Sequence, residues 1–157
     1  KIFQAETGSI FISNDFEMLV NREELLIRPR NLSKKQEQEI VLAENWEDLR
    51  QRNFVITISD FTEITFDENF SWNFDANQLT FPLKLRRLRQ HDYFFPSGME
   101  GKKKVSKFLK DLKISKFKKE DIWILADDVK VLGILPYRHD RRFSPTDFTQ
   151  NIVVVKA

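Results

Sequence analysis

Residues 101–113 read GKKKVSKFLKDLK, and they carry the clearest helical pattern in the chain. Four apolar residues share the spacing i, i+3, i+4 and i+7: Val105, Phe108, Leu109 and Leu112. This spacing places them on one stripe of an α-helix, with most of the lysines facing the other way. The sequence therefore predicts one amphipathic helix over residues 103–113, which buries its apolar stripe and presents ammonium groups to solvent.

Apolar runs on both sides of this helix predict β-strands. The predicted strands are 9–12, 16–20, 25–27, 40–42, 54–58, 61–66, 83–86, 122–125, 129–134 and 152–155. Short helical turns are expected at 46–50 and 75–79, and a loop at 96–101, where one Pro and two Gly interrupt the pattern. Mostly antiparallel strands with one strong helix among them indicate the α+β class.

The composition is that of a globular protein. The chain has 157 residues and no cysteine, which excludes disulfides, thiolate metal sites and a cysteine nucleophile, and fits a reducing compartment. No apolar run approaches the roughly 20 residues of a membrane helix, and the first residues lack both a secretory signal and an initiator methionine. We therefore expect a cytoplasmic protein with no membrane partner, and a chain taken from the end of a longer polypeptide.

The net charge of +2 hides an uneven distribution. Residues 82–119 contain 13 Lys and Arg against 3 Asp and Glu, whereas residues 1–81 contain 8 against 15. A basic stretch within an otherwise acidic chain predicts a surface that binds a polyanion. Charge alone leaves a merely solvated lysine surface open as the alternative.

Catalytic motifs are missing from the sequence. There is no Walker-type phosphate loop, no Gly-rich dinucleotide fingerprint and no nucleophile elbow. His91 and His139 each lie beside an aspartate, so a hydrolase built on Asp92, His139 and Asp140, or a metal site, is a second alternative. Two isolated histidines are more often structural, and we expect no catalytic residue, metal ligand or cofactor in this chain.

An ordered set of short motifs occupies the second half of the chain. Its members are Pro82-Leu83-Lys84-Leu85-Arg86, Asp92, Pro96, Gly98, Gly101-Lys102-Lys103-Lys104-Val105, Asp111 with Lys113, and Gly133, Arg138, Asp140, Arg142 and Phe143. In this order the set, from Asp75 onward, resembles the C-terminal domain of bacterial tRNA(Ile)-lysidine synthetases. His91 departs from the family pattern, which usually has glycine there, so the turn before Asp92 is expected to differ in backbone shape. Residues 31–74 match no part of the pattern.

The resemblance implies a fold and a function. It implies a layered β/β/α domain like that shared with the phenylalanyl-tRNA synthetase beta chain, with a β-rich lead-in over residues 1–80 and the tRNA-binding domain over residues 81–157. In the parent enzyme an N-terminal domain with an S-G-G-x-D-S loop would use ATP and magnesium to ligate lysine to the wobble cytidine of tRNA(Ile). That loop is absent here. This chain is therefore expected to be inactive alone, with tRNA(Ile) and its own N-terminal catalytic domain as partners.

Lysine and arginine suit phosphate contacts on A-form RNA, the first as a mobile point charge and the second as a fork. The residues expected to contact tRNA are Arg86, Arg87, Arg89, Lys102, Lys103, Lys104, Lys107, Lys110 and Arg142. Gly98 and Gly101 either let the backbone approach a phosphate or simply form a tight turn. Asp111 is expected to offset nearby lysines, and Trp123 and Phe108 to anchor the core. The first alternative function is a stand-alone nucleic-acid or protein interaction module with a basic helix.

Overall fold

The structure is a computed structural model that describes residues 4–30, 38–64, 66 and 68–157. Its strands and α-helices follow in the order β1 (Ile10–Ile12), β2 (Phe16–Asn21), β3 (Glu24–Pro29), β4 (Ile40–Ala43), α1 (Trp46–Gln51), β5 (Val55–Thr57), β6 (Ser71–Asp75), β7 (Leu83–Arg87), β8 (Tyr93–Phe94), β9 (Lys103–Lys104), α2 (Val105–Asp111), α3 (Lys116–Glu120), β10 (Trp123–Ala126), β11 (Val131–Leu135), β12 (Arg138–His139) and β13 (Ile152–Lys156). Single 3-10 turns lie at Ile58–Asp60, Ala76–Gln78 and Arg141–Phe143.

A five-stranded antiparallel sheet forms the centre of the molecule, in the order β12-β11-β10-β7-β4. Every residue of β10 and β11 is buried. Along β10, Trp123 and Leu125 pack into one apolar cluster, whereas Ile124 and Ala126 pack into another. Because side chains alternate between the two faces of a strand, this sheet is covered on both faces.

Different layers cover the two faces. The first cluster contains Trp72 and Val155 from a three-stranded sheet, β5-β13-β6, in which β13 runs parallel to β5 and antiparallel to β6. The second contains Phe108 and Leu109 from α2. The layers therefore follow the order sheet, sheet, helix. The predicted α+β class with mainly antiparallel strands is confirmed, and the parallel β5–β13 pair is the exception.

Strands from both sides of the predicted 80/81 domain boundary share these sheets. β4 pairs with β7, and β5 and β6 flank β13. The stretch 31–74, which matched no family motif, supplies β4, α1, β5 and most of β6, so its described residues build the core; residues 31–37 lie outside the described ranges. The sheet β1-β2-β3, in contrast, draws all its strands from residues before the boundary.

One arginine connects that sheet to α3. The guanidinium of Arg28 on β3 forms ion pairs with Glu17 at 2.6 Å and with Glu120 at 2.7 Å. It also lies 3.9 Å above the ring of Phe117. Leu19 on β2 is buried, since only 1% of its surface is exposed.

The predicted helix over residues 103–113 is correct in place but too long. Lys103 and Lys104 form β9 and pair with Tyr93 and Phe94, so the helix starts at Val105. At the other end Lys113 adopts φ 61°, and hydrogen bonds from its N–H to Lys110 and from the Ile114 N–H to Leu109 close the helix. The apolar stripe is buried at Val105, Phe108 and Leu109, whereas Leu112 is 43% exposed and leaves the stripe.

Most of the predicted strands are confirmed, and one is wrong. Residues 61–64 form no strand, because the chain after β5 turns through Ile58–Asp60 instead of reversing into a hairpin; Thr65 lies outside the described residues. The strand that pairs antiparallel with β13 is Ser71–Asp75, which the sequence did not predict. Helix α3 was also missed. Among the described residues, no helix is long and apolar enough to cross a membrane.

Candidate nucleic-acid interface

Four lysines of the basic stretch are exposed on one continuous segment. Lys102 and Lys104 lie at the strand β9, and Lys107 and Lys110 lie on α2. Within the described part of the chain, none of these ammonium groups forms an ion pair with a carboxylate. Their charges therefore remain available to an external anion. We call these four residues the lysine surface.

Lys103, in contrast, is held within the protein. Its ammonium lies 2.7 Å from the carboxylate of Asp111, and only 20% of its side chain is exposed. The hydrogen bond from Lys103, together with the nearby charges of Lys107 and Lys110, lowers the pKa of Asp111. Asp111 thus offsets neighbouring lysines, as the sequence predicted, and Lys103 is the one it pairs with.

Helix α3 extends the positive surface beyond α2. It contributes the exposed Lys116 and Lys118 and the half-buried Lys119. Burial lowers the pKa of Lys119, and the positive charge of Lys110 on α2 adds to this effect. Only the N-cap Ser115 could have indicated this helix, because a five-residue helix with one buried apolar side chain shows no periodicity.

The structure places Arg86 in the interior instead of on the surface. Its guanidinium forms a two-pronged ion pair with Asp92, with N–O distances of 2.8 and 2.7 Å, and 6% of its side chain is exposed. A phosphate contact at Arg86, which the sequence predicts, would need an exposed guanidinium, and this guanidinium is buried. The alternation along β7 explains why: Leu83 and Leu85 face the first apolar cluster, so Lys84 and Arg86 must face the opposite side.

Arg87 and Arg89 also have partners inside the protein. The Arg87 guanidinium stacks 3.7 Å above the ring of Trp123 and donates a hydrogen bond to the carbonyl of Asp121. Arg89 is half exposed and forms an ion pair with Glu39 at 3.0 Å. An exposed pair of this kind exchanges readily with solvent ions. Of the three arginines, Arg89 is thus the one that an RNA phosphate could engage at little cost.

Arg142 lies apart from the lysine surface in sequence, and Asp140 fixes its orientation. The Asp140 carboxylate is fully buried and accepts hydrogen bonds from Nε and Nη2 of Arg142 and from the backbone N–H of Phe95. The guanidinium in turn covers the ring of Phe95 at 4.3 Å. Arg142 is therefore held rigidly with about a third of its side chain exposed.

The loop between β8 and β9 depends on two glycines. Gly98 and Gly101 both adopt φ 75°, a conformation that disfavours other residues, so the tight-turn role holds for both. His91 is not among the described residues with positive φ, so the position where the family pattern has glycine does not require one here.

The hydrolase alternative has little structural support. The carboxylate of Asp92 forms an ion pair with Arg86, and the buried carboxylate of Asp140 forms one with Arg142. His139 packs against the rings of Trp72 and Phe74, and its Nε2 lies 3.2 Å from the Ser144 hydroxyl. In the described ranges, no group of three or more His, Asp or Glu is placed to hold a metal ion.

His139 leads to a prediction about pH. Burial lowers its pKa, the charge of Arg138 adds to this effect, and Asp140 opposes it. Histidine in the unfolded chain has a pKa of about 6.5, so below that pH the unfolded chain binds a proton at His139 more readily than the folded chain does. Stability should therefore fall as the pH drops from about 7 to 5. In urea unfolding at both pH values, the fall should be smaller for His139→Gln. Equal falls would mean that His139 contributes nothing to the pH dependence.

No family model matches the sequence. The tRNA(Ile)-lysidine synthase of Parabacteroides distasonis is 33% identical over 156 residues, which cover 96% of this chain and 34% of that protein. The enzyme of Bacteroides thetaiotaomicron is 35% identical over 53% of this chain and 20% of its own length. That of Porphyromonas gingivalis is 25% identical over 87% of this chain and 32% of its own length.

A solved structure is also similar in part, the crystal structure of TILS C-terminal domain. It has a TM-score of 0.47 and 19% sequence identity, and the match covers 59% of this chain and 72% of that one.

The described residues define an α+β protein with an exposed lysine surface on one layer. The relatives then show the kinship: this chain is homologous to the tRNA(Ile)-lysidine synthases, and the resemblance to that family is confirmed. The chain spans about a third of the length of the Parabacteroides relative.

Proposed function

We propose that this chain is the tRNA-binding, non-catalytic C-terminal part of a tRNA(Ile)-lysidine synthetase. One observation carries the proposal: Lys102, Lys104, Lys107 and Lys110 are exposed together without carboxylate partners among the described residues, whereas Lys103, Arg86 and Arg142 are each bound to one. A row of unpaired ammonium groups is suited to the phosphates of an RNA stem, since the deep major groove of A-form RNA hides its bases.

The parent enzyme in this proposal is an ATP-dependent ligase of the cytoplasm, and a separate N-terminal domain performs the chemistry on tRNA(Ile). ATP and magnesium belong to that domain. The sequence of this chain has no S-G-G-x-D-S loop, and its four glycines form no phosphate-binding motif, so its residues do not fit an ATP site. We expect the chain alone to bind tRNA without modifying it. The sheet, sheet, helix order is compatible with the fold proposed to be shared with the phenylalanyl-tRNA synthetase beta chain.

The test is charge reversal on the lysine surface. The variant Lys104→Glu/Lys107→Glu/Lys110→Glu removes three potential phosphate contacts, and all three side chains are exposed, so folding should be preserved. We expect tRNA affinity to fall by at least about ten-fold at moderate salt. The slope of log K against log salt should become shallower by about 2, at roughly 0.7–0.9 per lost contact. Fluorescence anisotropy with labelled tRNA at several salt concentrations measures both quantities.

A matched control separates a local site from general attraction. Arg22→Glu/Arg50→Glu/Lys156→Glu changes the net charge by the same amount at exposed positions outside residues 82–119. This variant should bind tRNA within about three-fold of the unmodified protein, because only long-range and screened interactions change. Equal losses in the two triple variants would contradict a defined lysine surface. Equal affinity for tRNA and duplex DNA would favour the stand-alone interaction module.

A further inference from the structure

The strands β8 and β9 form a two-stranded ribbon whose outer face combines aromatic and cationic side chains. Tyr93 pairs with Lys104 and Phe94 pairs with Lys103. Phe94 is fully buried under α2, whereas Tyr93 is 40% exposed, so Tyr93 and Lys104 share the outer face.

Two neighbouring residues continue this outer face. The ammonium of Lys102 lies 3.6 Å from the centre of the Tyr93 ring. The ring of Phe95 meets Tyr93 edge to face at 6.4 Å, and the guanidinium of Arg142 lies 4.3 Å from the centre of the Phe95 ring. The result is a pair of neighbouring rings, each in contact with a cation. We call Tyr93, Phe95, Lys102, Lys104 and Arg142 the aromatic ribbon.

The aromatic ribbon is preorganised, because a buried carboxylate holds one end of it. Asp140 binds both the guanidinium of Arg142 and the backbone N–H of Phe95. A cavity of about 50 Å³ lies beside Tyr93. It is lined by His91, Val129, Lys130 and Arg142 among others, and Lys102 is not part of its lining. It is too small to enclose a nucleobase, so a flat ligand would lie across its mouth and against the tyrosine.

We propose that the aromatic ribbon binds unpaired nucleotides of RNA, with a base stacked on Tyr93 and the adjoining phosphates on Lys102 and Lys104. This inference rests on the proposed function, and it specifies which part of the RNA this surface binds. Base-paired nucleotides have both faces covered by neighbours in the helix, so only an unpaired base can stack on a protein ring. An acidic protein segment would use the lysines but would gain nothing from an exposed aromatic face between them.

The test compares a single-stranded RNA of about 12 nucleotides with a blunt-ended RNA duplex of the same length. Tyr93→Leu removes the ring but keeps the apolar bulk, and Tyr93→Phe keeps the ring. Tyr93→Leu should weaken single-strand binding about ten-fold and duplex binding by less than about two-fold, with the salt slope unchanged because no charge is lost. Tyr93→Phe should bind like the unmodified protein, and Tyr93→Trp at least as tightly.

The two proposals fail in different ways. Unchanged single-strand affinity in Tyr93→Leu, or equal losses on both RNAs, would overturn the stacking role while leaving the lysine surface as a stem-binding site. Loss of single-strand binding in Tyr93→Leu, with no response of tRNA binding to Lys107→Glu/Lys110→Glu, which lie outside the ribbon, would support the aromatic ribbon and contradict the stem-binding proposal. The Tyr93→Trp variant tests stacking through single-strand affinity that is kept or increased, so this test does not depend on a loss of affinity.

Discussion

Replacing Arg86 with methionine should destabilise the folded protein by about 3–5 kcal/mol. Methionine fills similar space but leaves the carboxylate of Asp92, which is 9% exposed, without its guanidinium partner. A buried charge without a partner is costly because the protein interior solvates it poorly. The hydrogen bond from the Arg89 N–H to Asp92 remains, but it replaces only part of the lost interaction. Thermal unfolding should show a melting temperature lower by about 10 °C.

Two further variants make this prediction decisive. Arg89→Met removes a neighbouring arginine whose pair with Glu39 is half exposed, and it should cost less than about 1 kcal/mol. Arg86→Met/Asp92→Leu removes both charges and should be more stable than Arg86→Met alone, since no carboxylate is left unpaired. If Arg86→Met instead unfolds at the normal temperature and loses tRNA affinity, Arg86 is an RNA contact, as the sequence analysis expected.

Arg86 illustrates what a sequence can and cannot predict. The motif around residue 86 correctly indicated a strand, a following loop and the family. Composition could not show that β7 lies in the middle of a sheet covered on both faces, so that Lys84 and Arg86, at alternate positions of the strand, become buried. That arrangement depends on the pairing of β7 with β4 and β10, which come from positions more than 35 residues away on either side.

The lysines were easier to predict, because their exposure follows from local periodicity. Val105, Phe108 and Leu109 determine which side of α2 is buried, and Lys107 and Lys110 are exposed as a result. The sequence pattern placed Lys103 on the helix, but Lys103 pairs with Phe94 in a strand, so the helix begins only at Val105. Tyr93 was overlooked as a binding residue. Its only sequence signal was a run of three aromatic residues, 93–95, a short distance before the lysines at 102–104, and such runs usually belong to the core.

Substituting Gly133 should be the second most damaging single change, with a cost of about 3 kcal/mol for Gly133→Ala. A Cβ at this position would lie 2.4 Å from Cζ3 of Trp72, well inside van der Waals contact, and 3.2 Å from the Cα of His139. Gly133 cannot move away, because β11 is paired on both sides, with Leu125 and with His139. Close packing thus explains the glycine of the motif. The melting temperature of the protein should fall by about 6–12 °C when Gly133 is replaced by alanine.

Trp72 cannot easily yield to that Cβ either. It is 8% exposed and packs against Phe70 at 4.8 Å and against His139 at 5.7 Å. A double-mutant cycle with Trp72→Leu therefore tests the cause of the effect. Trp72→Leu will itself cost stability, but it removes the atoms that the new methyl group would strike. Gly133→Ala should then cost at least about 1 kcal/mol less in the Trp72→Leu background than in the unmodified protein. An equal cost in both backgrounds, measured by urea unfolding, would show that something other than the indole restricts residue 133 to glycine.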